Sequence, residues 1–193
     1  EKLAYPENYC FYGEEYRLSL DIYKASYRLE DVPGFKVMHR RSNVGRDLNK
    51  IFYYLGRNNR IIWQDAVPQK YRAQVLADSQ RRYELTAIKE KVTAAFEKGL
   101  SEELCTTQEN FMNDGDFEDF ALLTKLRQSK FENNTALFCG TGKFPSLWAD
   151  TLKEQGIKAV FADFNPGLIG KTFGHNKVLA PSELLEYHGT YIS

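Results

Sequence analysis

Residues 135–163 read TALFCGTGKFPSLWADTLKEQGIKAVFAD, and this stretch decides the fold class. Two short apolar runs, 135–139 and 157–162, flank a segment whose pattern predicts a helix over 146–155. Each run has the length of a buried strand, and glycines punctuate the turns between the segments. A strand, a crossover helix and a second strand form a βαβ unit, which builds parallel sheets. The sequence therefore predicts an α/β protein.

The loop after the first predicted strand has part of a dinucleotide-binding fingerprint. Gly140 and Gly142 lie between strand and helix, but Pro145 stands where a third glycine is usual. Asp163 ends the second strand about twenty residues later, where an acidic side chain would meet a ribose hydroxyl. Gly140, Gly142 and Asp163 are therefore candidate nucleotide ligands, and a purely structural domain is the alternative.

Upstream of this unit, residues 67–132 have helical patterns and little chemistry. Pro68 suits a first helical turn, and a single long helix is predicted from there to a C-terminal cap at Gly99. A second helix is predicted over 117–131. The turn at 113–116 resembles a calcium loop, but no glutamate stands at the twelfth position. We predict three domains, 1–66, 67–132 and 133–193, with the last boundary at 132–134.

The first region carries the strongest chemical signal. A helix is predicted over 14–29, a short strand over 35–39 and a helix over 47–63. Glu14 and Glu15 begin the first helix after Tyr12-Gly13, and His39 ends the strand. Such groups can take a proton from a hydroxyl and hold a divalent metal. The alternatives are favourable first-turn charges for the glutamates and a backbone-bonded histidine at position 39.

Composition excludes several classes of protein. Twenty-six basic and twenty-six acidic side chains give no net charge, so we expect no nucleic-acid partner.

Cys10, Cys105 and Cys139 are widely spaced, which predicts free, mostly buried thiols in a reducing compartment. No run reaches the roughly 18 apolar residues of a membrane span, and no signal peptide is visible. We therefore expect a cytoplasmic location, and the start without Met suggests part of a longer protein.

The first region resembles the C-terminal half of family-2 nucleotide-sugar glycosyltransferases. These are inverting enzymes with an A-type, Rossmann-like fold. The shared features are an aromatic stretch ending in an acidic pair, a helix end, a Val-x-His strand and a later Arg-Asn pair. They cover about 60 residues in order and in register, at Tyr5-Pro6, Phe11-Tyr12-Gly13-Glu14-Glu15, Ala25-Ser26-Tyr27-Arg28, Val32-Pro33, Val37-Met38-His39 and Tyr53-Tyr54-Leu55-Gly56-Arg57-Asn58.

The resemblance implies a role for each matching residue. Glu15 corresponds to the catalytic base and Glu14 to its acidic neighbour at the acceptor site. His39 corresponds to a ligand of the Mn²⁺ or Mg²⁺ ion on the donor diphosphate. Arg57 and Asn58, with Tyr12, correspond to substrate-binding positions. Surface charges on an amphipathic helix are the alternative for Arg57 and Arg60.

The chain departs from the family pattern in three ways. Glu15 stands where the family usually has Asp. Arg17 and Asp21 reverse a family ion pair, which predicts a structural salt bridge. The donor-binding half, with its Asp-x-Asp metal motif, is absent, so we expect this fragment to be inactive alone.

The C-terminal string resembles the small Rossmann-like domain of sugar-modifying acyltransferases and nucleotide-sugar enzymes. An Asp-x-x-Pro turn at 163–166 leads there to a short strand and a helix beginning Pro-x-Glu-Leu at 181–184. The whole chain is thus expected to contain the acceptor-side end of a mixed α/β catalytic domain, a helical connector and a small Rossmann-like domain.

The expected function is sugar transfer from a nucleoside-diphosphate donor to a glycan hydroxyl in polysaccharide biosynthesis. The expectation is compatible with peripheral membrane association and with an oligomer. Two alternatives stay open. One is a nucleotide-binding or assembly module in 133–193, and the other is a scaffold in which the helices of 67–132 mediate self-association.

Overall fold

A computed structural model describes residues 12–27, 30, 33–34, 36, 38, 45–103 and 112–192. Within these ranges the chain forms eight α-helices, one 3₁₀ turn and a five-stranded mixed sheet. The α/β class predicted from the sequence is therefore confirmed. The A-type glycosyltransferase architecture and the three-domain division stay predictions.

The sheet lies entirely in the C-terminal part of the chain. Its strands are β1 (Thr135–Cys139), β2 (Lys158–Ala162), β3 (Thr172–Phe173), β4 (Asn176–Leu179) and β5 (Thr190–Ile192). The order across the sheet is β3-β4-β2-β1-β5, and only the β3–β4 pair is antiparallel. Because β2 and then β4 are added on one side of β1 and β5 pairs with its other side, the chain reverses its direction of winding at this strand. The loop after β1 therefore lies at the switch point where α/β folds commonly bind ligands.

The predicted βαβ unit is confirmed. The crossover helix α7 (Pro145–Lys153) has proline at its first position, where no backbone N–H is needed. Gly156, in the left-handed conformation, lies in the turn that leads into β2. Downstream, the Asp163 carboxylate accepts a hydrogen bond from the Asn165 backbone N–H, and α8 (Pro181–Leu184) begins where the Pro-x-Glu-Leu pattern predicts.

Two helices predicted as continuous are each divided. The segment expected to run to Gly99 forms α3 (Gln69–Lys89) and α4 (Thr93–Ser101), and the expected helix 117–131 forms α5 (Asp114–Phe120) and α6 (Leu123–Gln128). Lys91 and Leu122 have positive φ, at 59° and 62°. A left-handed residue ends the regular helical hydrogen bonding, so both predictions were wrong at these breaks.

Gly99 is not the helix cap that its position suggested. It lies inside α4 and faces α2 (Leu48–Ala66), where an added Cβ would lie inside contact distance of the Tyr53 carbonyl. Gly56 on α2 makes the reciprocal approach, because an added Cβ would lie 2.7 Å from the Phe96 carbonyl oxygen. These glycines allow the two helix backbones to pack directly against each other.

The first helix, α1 (Glu14–Lys24), is shorter than the predicted 14–29. Ser26 has a φ of 60°, which takes the backbone out of the helix. The predicted salt bridge is confirmed, because Arg17 Nε lies 3.1 Å from Asp21 Oδ1. Arg17 Nη1 also lies 3.2 Å from Asp65 Oδ2 and so attaches α1 to α2. The predicted strand 35–39 falls largely outside the described residues.

One apolar cluster contains residues from all three sequence regions. Leu20 and Trp63 come from the first, Phe117 from the second, and Phe144 and Leu147 from the third. The Trp63, Phe117 and Phe144 rings meet edge-on, at centroid separations of 5.6 and 5.8 Å. Along the described ranges, no helix is long and apolar enough to cross a membrane.

Candidate functional site

The turn before the acidic pair has an unusual backbone. Tyr12 and Gly13 both have positive φ, at 62° and 93°, and α1 begins immediately afterwards. Gly13 is buried, and an added Cβ would lie 3.1 Å from Ile62 Cδ1 and 3.4 Å from Asn58 Cβ. Glycine is the residue that accepts both this φ and this close approach. The turn is therefore held against α2.

Asn58 fixes the turn through its side-chain amide. It is fully buried on α2, and its Nδ2 donates to the Tyr12 carbonyl oxygen at 2.5 Å. Arg57 Nη1 donates to Asn58 Oδ1 at 2.8 Å, which leaves the amide nitrogen oriented toward the turn. The structure thus brings Tyr12, Arg57 and Asn58 into contact with one another, and their substrate-binding role stays a prediction.

Arg57 and Arg60 are not surface charges on an amphipathic helix. Arg57 Nε lies 3.1 Å from Glu102 Oε1, and the arginine side chain is 15% exposed. Arg60 donates to the Glu102 backbone carbonyl. Burial and the neighbouring Arg57 lower the pKa of Arg60. Both arginines therefore connect α2 to the end of α4.

The two glutamates of the acidic pair have different surroundings. Glu14 is half-buried, and its Oε2 is inaccessible to solvent and has no hydrogen-bond partner among the described residues. Glu15 is exposed, and its backbone carbonyl accepts the Ser19 hydroxyl at 2.7 Å. Of the two carboxylates, Glu15 has the access to solvent and substrate that a general base needs.

The metal-binding prediction rests partly on His39, which lies outside the described residues. In the described ranges, no group of three or more His, Cys, Asp or Glu side chains could hold a metal ion. Asp114-Gly115-Asp116 has the spacing of an Asp-x-Asp motif, but it opens α5, where Asn113 accepts a hydrogen bond from the Asp116 N–H as the helix cap. The metal-ligating side chains of the described residues do not by themselves form a Mn²⁺ or Mg²⁺ site.

The glycine loop, residues 140–144 between β1 and α7, is held by hydrogen bonds from Thr141 to Asp163 and from Arg82 to Thr141. The Asp163 Oδ2 accepts hydrogen bonds from the Thr141 N–H and hydroxyl, at 3.0 and 3.1 Å. Arg82, on α3, donates to the same hydroxyl at 2.9 Å. Burial acts to raise the pKa of Asp163, but the hydrogen bonds from Asn165 and Thr141 outweigh it and hold the pKa below its usual value. Asp163 therefore stabilises the loop itself.

The first turn of α7 is also occupied. Asp78, a buried residue on α3, accepts the Ser146 N–H at 2.9 Å and the Ser146 hydroxyl. Helix N-termini bind phosphate through backbone N–H groups that are free in the first turn. In α7, Asp78 already accepts the Ser146 N–H. An added Cβ at Gly140 would meet open space. Cys139 beside it is a free but exposed thiol, whereas the cysteines were predicted to be mostly buried. Cys10 and Cys105 lie outside the described residues.

Sequence reasoning missed an aromatic pocket between α1, α2, α5 and the glycine loop. Its volume is about 560 Å³. The tyrosines at 16, 23 and 27 have a helical spacing of seven and four residues, which was the available signal. Its walls are formed by Tyr16, Ser19, Leu20, Ile22, Tyr23, Tyr27, Trp63, Phe120 and Lys143.

Each of the two predicted sites is adjacent in sequence to a residue that lines this pocket. Tyr16 directly follows Glu15, and Lys143 directly follows Gly142. The Lys143 ammonium lies 3.8 Å from the centre of the Tyr16 ring, within the range of a cation–π interaction. Comparison with known proteins adds no assignment, because family models, curated proteins and solved structures all gave no match.

Proposed function

We propose that residues 12–66 form the acceptor side of an inverting glycosyltransferase that uses a nucleoside-diphosphate sugar. The observation that carries the proposal is the buried Asn58 amide, which holds the Tyr12-Gly13 turn so that the acidic pair begins α1 directly before Tyr16, a residue that lines the pocket. A solvent-accessible carboxylate beside an aromatic pocket suits the activation of a sugar hydroxyl.

Glu15 is the base in this proposal. Its carboxylate takes the proton of the acceptor hydroxyl while the hydroxyl oxygen attacks the anomeric carbon of the donor. The bond from the anomeric carbon to the diphosphate oxygen breaks on the opposite face, so the configuration inverts. Ser19 lies one helical turn after Glu15 on the same face of α1 and lines the pocket, so the acceptor would meet both side chains.

A divalent metal, when bound, would absorb negative charge developing on the diphosphate. His39 is the residue that the resemblance assigns to that ion, and Glu14 is assigned to the acceptor site. The cytoplasmic location, the glycan acceptor and the role in polysaccharide biosynthesis belong to the same proposal.

The test is sugar transfer by the full-length protein, with Mn²⁺ and a panel of nucleotide sugars. We expect Glu15→Gln to lose at least about 100-fold in kcat, since general-base catalysis contributes roughly that factor or more. Glu154→Gln, at an exposed position after α7, is the matched control and should keep full activity. His39→Ala should weaken the dependence on Mn²⁺. Near-normal rates in folded Glu15→Gln would overturn the proposal.

A nucleotide-binding module in 133–193 is the second candidate. The observation that favours it is the open space above Gly140 at the switch point of the sheet. UDP binding that Gly140→Leu weakens and Glu15→Gln leaves unchanged would support this function over sugar transfer.

A further inference from the structure

The aromatic pocket contains a cation that has no acidic partner there. Of the described residues that line it, Lys143 is the one with a charged side chain. Within the described ranges, no carboxylate forms an ion pair with its ammonium group. Its contacts are with ring faces, at 3.8 Å from the Tyr16 centroid and 5.9 Å from the Trp63 centroid.

The surroundings of Lys143 favour an incoming negative charge. The residue as a whole is exposed, but its ammonium group lies over the Tyr16 ring at the pocket wall. Burial, with Arg82 nearby, lowers the pKa of Lys143, which means that the charged form lacks full compensation. An anionic group on a ligand would supply that compensation at close range and in a partly desolvated site.

The remainder of the pocket suits a ring with two apolar faces and a polar edge. Tyr16 and Tyr23 are each 43% exposed and Tyr27 is 65% exposed, so their rings are accessible to a ligand. The tyrosine hydroxyls can hydrogen-bond to the hydroxyl groups of a ligand, and the Ser19 hydroxyl, which donates to the Glu15 carbonyl oxygen, can still accept a hydrogen bond. The volume falls within the roughly 300–1,000 Å³ typical of small-molecule sites.

We infer that this pocket binds a sugar ring carrying an anionic substituent, and that Lys143 pairs with that substituent. The identity of the ring as the acceptor sugar rests on the proposed function. The requirement for negative charge rests on Lys143 alone. The C-terminal glycine loop would then determine acceptor specificity instead of binding a nucleotide, because Lys143 belongs to that loop and reaches the face of α1.

The inference is tested by binding, which needs no turnover. Methyl glucoside, methyl glucuronide and glucose 6-phosphate would be titrated into the 193-residue chain, with binding followed by ligand-observed NMR. We expect an anionic sugar to bind at least about tenfold more tightly than methyl glucoside, in the millimolar range or below. A preference for glucuronide or for the phosphate would identify which anionic group the pocket takes.

Three variants make the result specific. Lys143→Gln should remove the preference for the anionic sugar, and Lys143→Arg should retain most of it. Lys153→Gln, which removes an exposed charge from the end of α7, should change nothing. Equal binding of neutral and anionic sugars, no binding by either anionic sugar, or an unchanged preference in Lys143→Gln would overturn the inference.

The outcome separates this inference from the proposed function. If Glu15→Gln loses sugar transfer and the anionic sugar shows no Lys143-dependent preference, the proposed glycosyltransferase function is supported and the anionic acceptor is refuted. A Lys143-dependent preference with full activity in Glu15→Gln would leave an anionic-sugar site without the proposed base.

Discussion

The Asp78 carboxylate accepts two hydrogen bonds from Ser146, one from the backbone N–H and one from the hydroxyl. Asp78 lies on α3 and Ser146 in the first turn of α7, so the bonds join the helical region to the crossover helix of the sheet. Both residues are buried. A side chain distant in sequence thus caps α7, a role usually taken by the residue just before a helix.

The Asp78 cap should contribute measurably to stability. We expect Asp78→Ala to lower the free energy of unfolding by about 2 kcal/mol, because it leaves the buried Ser146 groups without acceptors. Asp150→Ala is a matched control, since exposed Asp150 also bonds α3, through Gln74, and should cost less than about 0.5 kcal/mol. Urea denaturation of both variants measures the difference. Equal losses would contradict the capping role.

Asp78 should also make stability depend on pH. Burial raises its pKa, and the Ser146 hydrogen bonds offset this only in part. The folded state therefore binds the Asp78 proton more tightly than the unfolded state, whose pKa is about 4. The free energy of unfolding of the wild type, relative to Asp78→Asn, should fall as pH rises from about 4 through the raised pKa and then stay constant. A difference that does not change with pH would contradict this assignment.

Asp78 has a consequence for nucleotide binding. Its negative charge stands at the α7 N-terminus, where a diphosphate would otherwise meet the helix N–H groups. Asp163 is engaged with Thr141 and Asn165 at the position expected to meet a ribose. We therefore expect calorimetric titration of the chain with UDP or NAD to show no binding at micromolar concentrations. Micromolar binding that Gly140→Leu abolishes would favour the nucleotide-binding module instead.

The sequence predicted the sheet region better than the helical region. The two apolar runs and the glycines between them gave β1, α7 and β2 to within about two residues, because a buried parallel strand has a continuous apolar pattern. The breaks at Lys91 and Leu122 had no such signal, since neither residue type favours positive φ. Tertiary packing determines those breaks.

The candidate site was predictable only in part. Tyr12, Arg57 and Asn58 were predicted as substrate-binding residues. The structure shows that they contact one another, which leaves the binding role a prediction. The position of Lys143 was not predictable, because it contacts the Tyr16 ring from 127 residues further along the chain. No local spacing relates two residues so far apart, and only the packing of the glycine loop against α1 brings them together.

The close contact between α2 and α4 gives a strong prediction for Gly99. An added Cβ would meet the Tyr53 backbone carbonyl, which cannot move without displacing α2. We expect Gly99→Ala to lower the free energy of unfolding by about 3 kcal/mol, the upper part of the usual range for overpacking, despite the better helix propensity of alanine. Gly115→Ala is the control, because position 115 is also helical and its Cβ would lie 3.4 Å from the Asn113 side chain, an ordinary contact. Gly115→Ala should be as stable as the wild type or slightly more stable. A Gly99→Ala protein as stable as Gly115→Ala would contradict the close packing of α2 against α4.

Gly13 tests whether the turn that carries the acidic pair is fixed by its contacts. Gly13 and Gly156 both have positive φ, so alanine at either position should cost about 1 kcal/mol in backbone strain. Gly156 faces open space, whereas a Cβ at Gly13 would press on Ile62 and Asn58. We therefore expect Gly13→Ala to lose about 1 kcal/mol more than Gly156→Ala in chemical denaturation. In the full-length protein Gly13→Ala should also reduce the proposed sugar transfer, because the displaced turn moves Glu15, while Gly156→Ala should not. Equal destabilisation with unchanged transfer in both variants would mean that the Tyr12-Gly13 turn does not position Glu15.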